Sequence, residues 1–221
     1  MTPFYDRDGI TIYHGDCRDV LPSIDPADVD LLLTDPPYGI NLATDYSGMT
    51  GSTHRAGTGG GKRYAPVAGD DEPFDPAPLL RYQRLLLFGA NHFATRLPEG
   101  GRWIVWRKRG ASQWLAAAEL AWHNCGGRPV DYFETTYNRA RAVDGHLHPT
   151  QKPTELMRWI VDRWTQPGDL VLDPYMGSGP VAQACHELGR RYIGVELVED
   201  YCRIAVSRLA QQTLDLDGAA S

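Results

Sequence analysis

A glycine-rich turn that follows a short apolar run decides the fold, in the stretch Leu170-Val171-Leu172-Asp173-Pro174-Tyr175-Met176-Gly177-Ser178-Gly179. The apolar run predicts a buried strand, and Val181–Leu188 predicts a helix directly after the turn. Glycines in such a strand-to-helix turn let a ligand approach the backbone closely. Neither G-K-[ST] nor G-x-G-x-x-G occurs here, so the known phosphate-binding patterns do not match. The turn therefore predicts a ligand site of another kind in an α/β fold.

Strands and helices alternate on both sides of this turn. Apolar runs predict further strands at Ile10–His14, Val29–Thr34, Leu85–Phe88, Trp103–Trp106 and Tyr192–Val195. Helices are predicted at Ala77–Arg84, Gln113–Trp122, Thr154–Trp164 and Asp200–Gln211. This alternation implies a mostly parallel sheet with helices on both faces. Such sheets bind ligands at the carboxyl ends of their strands.

The tetrapeptide Asp35-Pro36-Pro37-Tyr38 stands at one such end, directly after a buried strand. A rigid turn would explain these residues, but the chemistry of an exocyclic amine explains them more specifically. The lone pair of such an amine is delocalised into its ring, so a catalyst must hold the NH2 group by its hydrogens. The Asp35 carboxylate and the Pro36 carbonyl are two suitable acceptors, because the double proline stiffens the backbone that aims the carbonyl. Tyr38 would stack on an extruded base.

A second acidic residue follows the glycine turn. Glu196 ends the next predicted strand, 23 residues after Asp173. An acidic residue at about this distance (roughly 20 positions) suits the hydroxyl pair of a ribose in nucleoside-binding α/β folds. The two strand ends together predict a nucleoside-like ligand beside an amine-binding group.

These motifs resemble those of the DNA amino-methyltransferases, which methylate N6 of adenine or N4 of cytosine with S-adenosylmethionine. The run Thr34–Gly39 is similar to the catalytic motif of that family, and Asp173–Gly179 to its cofactor motif. The catalytic motif comes first, an order that resembles the permuted β branch. The resemblance covers Gly15 to about Leu209. It implies a Rossmann-like, S-adenosylmethionine-dependent methyltransferase fold with a mixed, mostly parallel seven-stranded sheet and helices on both faces.

The resemblance also assigns roles to residues. The catalytic residues would be Asp35, Pro36, Pro37 and Tyr38. The cofactor would be bound by Asp16, Cys17, Asp35, His148, Thr150, Gln151, Lys152, Asp173, Tyr175, Met176, Gly177, Ser178, Gly179, Glu196 and Leu197. Within that set the His148–Pro153 segment would pack against the methionine carboxylate. Tyr175 and Pro180 depart from the Phe and Thr that are common in the family. No metal site is expected.

Basic residues cluster locally although the net charge is −6. An acidic balance alone disfavours nucleic-acid binding, but we expect contacts with DNA phosphates or base edges from Arg55, Lys62, Arg63, Arg107, Lys108, Arg109, Arg139 and Arg141. Residues from about 107 to 147 would form a short target-recognition region with modest sequence specificity. The glycine-rich segment Asn41–Asp71 is expected to be a mobile loop that closes over the flipped base.

Length and composition limit the remaining possibilities. The 221 residues suit one methyltransferase domain, and the four cysteines contain no C-x-x-C pair that would indicate zinc or redox chemistry. No apolar run approaches the roughly 18 residues of a membrane span, and residues 1–10 lack the apolar stretch of a signal peptide. We therefore expect a cytoplasmic, stand-alone enzyme of phage or bacterial origin that acts on double-stranded DNA as a monomer or homodimer.

Several alternatives remain beside methylation of adenine N6. Cytosine-N4 methylation is one, although members with that specificity more often carry Ser where Asp35 stands. Methylation of RNA is another, because an RNA-reading segment has no distinct signature here. A catalytically silent module is disfavoured by the two intact motifs, and a Rossmann-type dehydrogenase by the missing dinucleotide fingerprint. The expected reaction is direct transfer from the sulfonium without a covalent enzyme intermediate.

Overall fold

The fold was analysed in a computed structural model, which describes residues 1–42, 67–110, 116–136 and 151–218, with side chains up to residue 211. Its strands are β1 (Tyr5–Arg7), β2 (Ile10–His14), β3 (Leu31–Thr34), β4 (Leu85–Phe88), β5 (Arg102–Arg109), β6 (Ala118–His123), β7 (Val130–Thr136), β8 (Leu170–Asp173) and β9 (Arg191–Glu196). Its α-helices are α1 (Cys17–Val20), α2 (Thr154–Trp164), α3 (Pro180–Glu187) and α4 (Glu199–Gly218). Short 3-10 turns lie at Leu21–Ser23, Pro26–Asp28, Ala77–Leu79, Ala90–His92 and Ala94–Arg96.

All of these strands belong to one sheet, in the order β1-β2-β9-β8-β3-β4-β6-β5-β7. The central strands β2, β9, β8, β3 and β4 run parallel to one another. β1 is antiparallel to β2, and β6 is antiparallel to both β4 and β5. Because β3 and β8 are parallel neighbours, Asp35 and Asp173 reach the same edge of the sheet.

Apolar side chains on both faces of the central strands build the core. Leu31 and Leu33 of β3 pack on one face, in a cluster that includes residues of α2, α3 and α4. Leu32 points to the other face, against residues of α1 and the 3-10 turns. Strands covered on both faces read as continuous apolar runs, which is why the sequence revealed them. The prediction of a mostly parallel sheet with helices on both faces is confirmed.

The sheet has nine strands in the described residues, so the expected seven was too few. Three strands, β1, β6 and β7, were not predicted from apolar runs, and β1 and β7 are the two edges of the sheet, which pair on one side only. Within the described ranges, no helix has the length and apolar character that a membrane span requires.

Two predicted helices were wrong. Residues 118–122 of the predicted helix Gln113–Trp122 belong to β6, where Ala121 and Trp122 are buried between β4 and β5. Tertiary pairing there overrides the helix propensity of the alanine-rich stretch. The predicted helix Ala77–Arg84 is a single 3-10 turn, Ala77–Leu79, with prolines at its start. The other predicted helices form, with α4 longer than expected.

Candidate active site

The tetrapeptide Asp35–Tyr38 and the glycine turn open into one cavity of about 1510 Å³. Thr34 at the end of β3 donates a hydrogen bond of 2.6 Å to Oδ1 of Asp173 at the end of β8. The cavity is lined by residues of both motifs, among them Asp35, Pro36, Pro37, Tyr38, Asp173, Tyr175, Gly177 and Glu196. The two motifs are therefore placed together, as a group-transfer site requires.

The glycine turn leaves room for a ligand at its middle. Gly177 has φ +54°, and an added Cβ would meet no heavy atom within 4 Å. Gly179 has φ +78°, and its Cβ would lie 2.7 Å from that of Ala205, so α4 packs closely there. Gly177 thus faces open space, while Gly179 permits close packing of a helix.

Glu196 supports the glycine turn from the neighbouring strand. Its Oε2 accepts a 2.8 Å hydrogen bond from the backbone N–H of Gly177, and its Oε1 accepts one of 2.8 Å from Val198. Burial raises the pKa of Glu196, although these backbone donors oppose the shift. Each oxygen keeps further acceptor capacity that a pair of ribose hydroxyls would use.

Asp173 is a buried carboxyl group without a cationic partner among the described residues. It accepts hydrogen bonds from Thr34, the Tyr175 backbone N–H and the Tyr192 hydroxyl. Burial raises its pKa to about 7, against the effect of these donors. A ligand that brings an ammonium group would therefore be favoured here, since it would stabilise the ionised carboxylate.

The other predicted cofactor residues line the cavity or support it. Asp16 caps α1 and pairs with Arg18, and Cys17 lies in hydrogen-bonding contact with Tyr175. Met176 and Ser178 are buried in the turn, whereas Leu197 is exposed. All of these residues, together with Gln151, line the cavity. His148 and Thr150 lie outside the described residues.

Asp70 holds the backbone that follows the catalytic tetrapeptide. Its Oδ1 accepts N–H bonds from Tyr38 at 2.9 Å, Gly39 at 2.8 Å and Ile40 at 3.3 Å, and its Oδ2 accepts one from Leu42 at 2.7 Å. Asp70 is itself buried. One carboxylate thus joins the two described ends of the segment Asn41–Asp71, whose mobility stays a prediction. Residues 43–66 of this loop lie outside the described part.

Lys152 contacts the Asp35 carboxylate. Its Nζ donates to Oδ2 of Asp35 at 2.5 Å, and the Tyr38 hydroxyl donates to Oδ1 of Asp35 at 2.5 Å. The resemblance assigned Lys152 to the cofactor site, but its described ion-pair partners are Asp35 and Glu119. Although burial would lower the pKa of Lys152, Asp35 and Glu119 raise it well above its usual value.

Glu119 was not identified as a site residue from the sequence. It lies 3.1 Å from Nζ of Lys152 through Oε2, and its Oε1 is paired with Lys108. Although burial acts to raise its pKa, the two lysines lower it. The interpretation of this stretch as a helix gave no reason to place Glu119 beside Asp35, and only the pairing of β6 brings it there.

The Tyr38 ring has a defined place between two neighbours. It is stacked on the exposed His92, with 5.2 Å between ring centroids and 14° between planes. Gly89 is the second neighbour of the ring, and a Cβ added to this glycine would lie 1.9 Å from Cε1 of Tyr38. No sequence signal identified His92, which follows the Gly89 turn after β4.

The predicted DNA-binding residues separate into an outer and an inner set. Arg107 and Arg109 are exposed side chains on β5, and both pair with Glu134 of β7. Lys108 points to the opposite side of the strand, because successive side chains of a strand point to opposite faces. Its side chain is 11% exposed. It lines the cavity and pairs with Glu119, unlike the two exposed arginines, and its contact with DNA stays a prediction. Arg55, Lys62, Arg63, Arg139 and Arg141 lie outside the described residues.

The chain is similar to known DNA methylases. Residues 105–207 match the family described as DNA methylase (N6_N4_Mtase). The chain is 30% identical to "Putative methylase YubD" of Escherichia coli (strain K12), over 89% of this chain and 88% of that protein.

Solved structures share the fold. The M1.HpyAVI–SAM complex is 22% identical with a TM-score of 0.54, covering 90% of this chain and 99% of that one. The PvuII DNA methyltransferase (cytosine-N4-specific) is 14% identical with a TM-score of 0.63, covering 93% and 88% respectively.

Proposed function

The chain belongs to the DNA methylase family, and on that premise we propose that it transfers a methyl group from S-adenosylmethionine to N6 of adenine in double-stranded DNA. One observation carries the proposal. A carboxylate that follows a buried strand, Asp35, shares a single cavity with the open glycine turn at Gly177 and its supporting Glu196. The proposed amine acceptor and the proposed nucleoside site would thus lie side by side.

The residues of the glycine turn fit S-adenosylmethionine. Asp173 would face the ammonium group of its methionine part, and Glu196 would bind the ribose hydroxyls. Gly177 leaves space for the ligand because nothing lies near its missing side chain. A SAM complex of a protein with the same fold supports this choice of methyl donor. When bound, the donor would supply an electrophilic methyl group on a sulfonium.

The chain's own residues would hold the base. Asp35 and the Pro36 carbonyl would accept the two hydrogens of the exocyclic amine and aim its lone pair into the cavity. Tyr38 would stack on the flipped base. No nucleophilic side chain would be needed, because the substrate nitrogen would itself bond to the methyl carbon. The C–S bond of the donor would break to leave a neutral thioether, and the surplus proton on nitrogen would pass to solvent.

The choice of adenine follows from Asp35 at the first position of the tetrapeptide, where cytosine-N4 enzymes more often carry Ser. Cytosine N4 is the alternative, because the family covers both bases. Arg107 and Arg109, exposed on β5, are proposed to contact DNA phosphates.

The test is incubation with radiolabelled S-adenosylmethionine and unmethylated DNA, followed by nucleoside analysis. Label in N6-methyladenine is the expected result, and label in N4-methylcytosine would move the assignment to the alternative. A parallel incubation with RNA of the same sequence tests whether RNA is methylated as well. Absence of label from every polymer would reject the proposed activity.

A further inference from the structure

Both oxygens of Asp35 already have donors from the chain. The Tyr38 hydroxyl donates to Oδ1 and the Lys152 ammonium to Oδ2, each at 2.5 Å. A carboxylate oxygen can accept more than one hydrogen bond, so a substrate amine would bind beside these donors or replace one of them. Both donors bond to an ionised group, but only the lysine carries a charge of its own, so its attraction to the carboxylate is the stronger. The amine is thus expected to replace the tyrosine at Oδ1 rather than the lysine at Oδ2.

Lys152 lies between the two carboxylates of Asp35 and Glu119. Beside its hydrogen bond to Asp35, its Nζ donates to the Tyr38 hydroxyl oxygen at 3.2 Å and forms an ion pair with Oε2 of Glu119 at 3.1 Å. Oε2 of Glu119 has no hydrogen-bond partner among the described residues, so its contact with Lys152 is electrostatic. The side chain of Lys152 is 3% exposed, and water has little access to replace a lost partner. The position of Lys152 thus depends on the charge of Glu119 as well as on Asp35.

Glu119 is held by the sheet and by a second lysine. It lies opposite Trp106 in the pairing of β5 with β6, and its Oε1 pairs with Lys108. Lys108 in turn lies 4.8 Å from the centre of the Trp106 ring. Two lysines and two carboxylates therefore form a balanced cluster (Asp35, Lys152, Glu119 and Lys108) at the wall of the cavity.

We propose that Glu119 is a positioning residue for methyl transfer: it holds Lys152 against Oδ2 of Asp35, and Oδ1 is thereby reserved for the substrate amine, which displaces the Tyr38 hydroxyl. The inference rests on the function proposed above. Without Glu119, Lys152 loses one of the two carboxylates that balance its charge. It then moves toward both oxygens of Asp35 and competes with the amine.

The pH profile separates this role from a merely structural one. Burial is the main cause of the raised pKa of Asp35, and Lys152 and Tyr38 oppose it. Asp173 also faces Asp35, and the negative charge of Glu119 adds to the rise. Removing that charge lowers the pKa of Asp35. The acid limb of kcat then moves to lower pH, whereas a loss of packing alone would leave its position unchanged.

The experiment compares Glu119→Gln, Glu119→Ala and Glu119→Asp with Glu187→Gln in the full-length protein. Glu187 is a matched control, because it is also ion-paired, to Arg158, and its side chain is 22% exposed against 23% for Glu119. We expect kcat to fall about tenfold in the Gln and Ala variants, equivalent to about 1.4 kcal/mol. The acid limb should shift down, with the dissociation constant of S-adenosylmethionine unchanged.

Glu119→Asp keeps the negative charge, so its kcat is expected to have the same acid limb as the wild type. This variant tests the proposal even if the Gln and Ala variants fold poorly. An unmoved acid limb in Glu119→Gln, with an active wild type, would overturn the positioning role and leave the proposed function intact. Wild type that labels no polymer would reject the proposed function and this inference with it. The same shift in Glu187→Gln would also overturn the inference, because the effect would then not belong to the cluster.

Discussion

The hydroxyl of Thr34 donates a 2.6 Å hydrogen bond to Oδ1 of Asp173, although the two residues are 139 positions apart in the sequence. The bond joins the carboxyl ends of two adjacent parallel strands. One strand leads into the tetrapeptide at Asp35 and the other into the glycine turn. The proposed amine-binding group and the proposed cofactor site are thus fixed relative to each other by a buried contact.

Affinity for S-adenosylmethionine should depend on the ionisation of Asp173. Burial raises the pKa of this carboxyl to about 7, and a cofactor ammonium group would favour its ionised form. Protonation below pH 7 therefore opposes binding, and the dissociation constant should rise by up to about tenfold for each pH unit below 7. Calorimetric titration between pH 5.5 and 8 measures this. Asp173→Asn should bind weakly and independently of pH, and a flat profile in wild type would contradict the assignment.

Replacing Asp35 with alanine should stop methyl transfer but spare cofactor binding. The variant loses the acceptor that holds the amine, and such losses cost about a hundredfold to a thousandfold or more in kcat. Label transfer to DNA measures the rate, and calorimetry measures the affinity for S-adenosylmethionine. Turnover within tenfold of wild type would remove Asp35 from the catalytic role.

Gly89→Ala should displace the Tyr38 ring. A Cβ at this position would lie 1.9 Å from Cε1 of Tyr38, and the residue has φ +65°. Gly100→Ala is the matched control, since its φ is +77° and its Cβ would meet nothing within 4 Å. Both variants carry about the same backbone strain, roughly 1 kcal/mol, but only Gly89→Ala should lower kcat, by about tenfold or more. Equal activity in the two variants would show that the ring position is unimportant.

Arg107 and Arg109 should contribute to the salt dependence of DNA binding. Both side chains are exposed, at 60% and 64%, whereas Lys108 between them points into the cavity. The double alanine variant should weaken DNA binding and reduce the slope of log K against log salt by about 2. Arg203→Ala serves as control, because this arginine is 66% exposed and also ion-paired. A slope that matches wild type in the double variant would exclude both arginines from the interface.

His123 should make the folded state sensitive to acid. Its ring is buried beside Trp164, and burial lowers its pKa to about 4. The unfolded chain takes up this proton near pH 6.5, so the free energy of unfolding falls as the pH drops from about 6.5 to 4. The loss is about 3 kcal/mol in total.

Denaturant unfolding of wild type and His123→Leu at pH 7 and 4.5 tests this dependence. The variant should lose about 2–3 kcal/mol less than wild type between the two pH values. The raised pKa of Asp173 acts in the opposite direction, since its protonation stabilises the folded state as the pH falls, but it does so in both proteins and cancels in the comparison. Identical losses would contradict a neutral, buried His123.

The sequence by itself determined the class of fold and the two strand ends of the proposed site. Short apolar runs such as Leu170–Leu172, bounded by turn residues and followed by helical patterns, indicate buried strands, and α2 follows from apolar residues at helical spacing. Since parallel strands place their carboxyl ends at one edge, Asp35 and Asp173 were predicted to lie near each other before any contact was known.

Only the tertiary structure decided which charges meet at the catalytic carboxylate. Glu119 has no local pattern that distinguishes it, and its surroundings favour a helix until β4 and β5 enclose it as a strand. Lys152 reaches Asp35 across 117 positions, and Asp70 reaches Tyr38 across 32. Such partners are chosen by burial and by the need to satisfy each buried charge. Those energies depend on the packed arrangement of distant segments and leave no periodic signal in the chain.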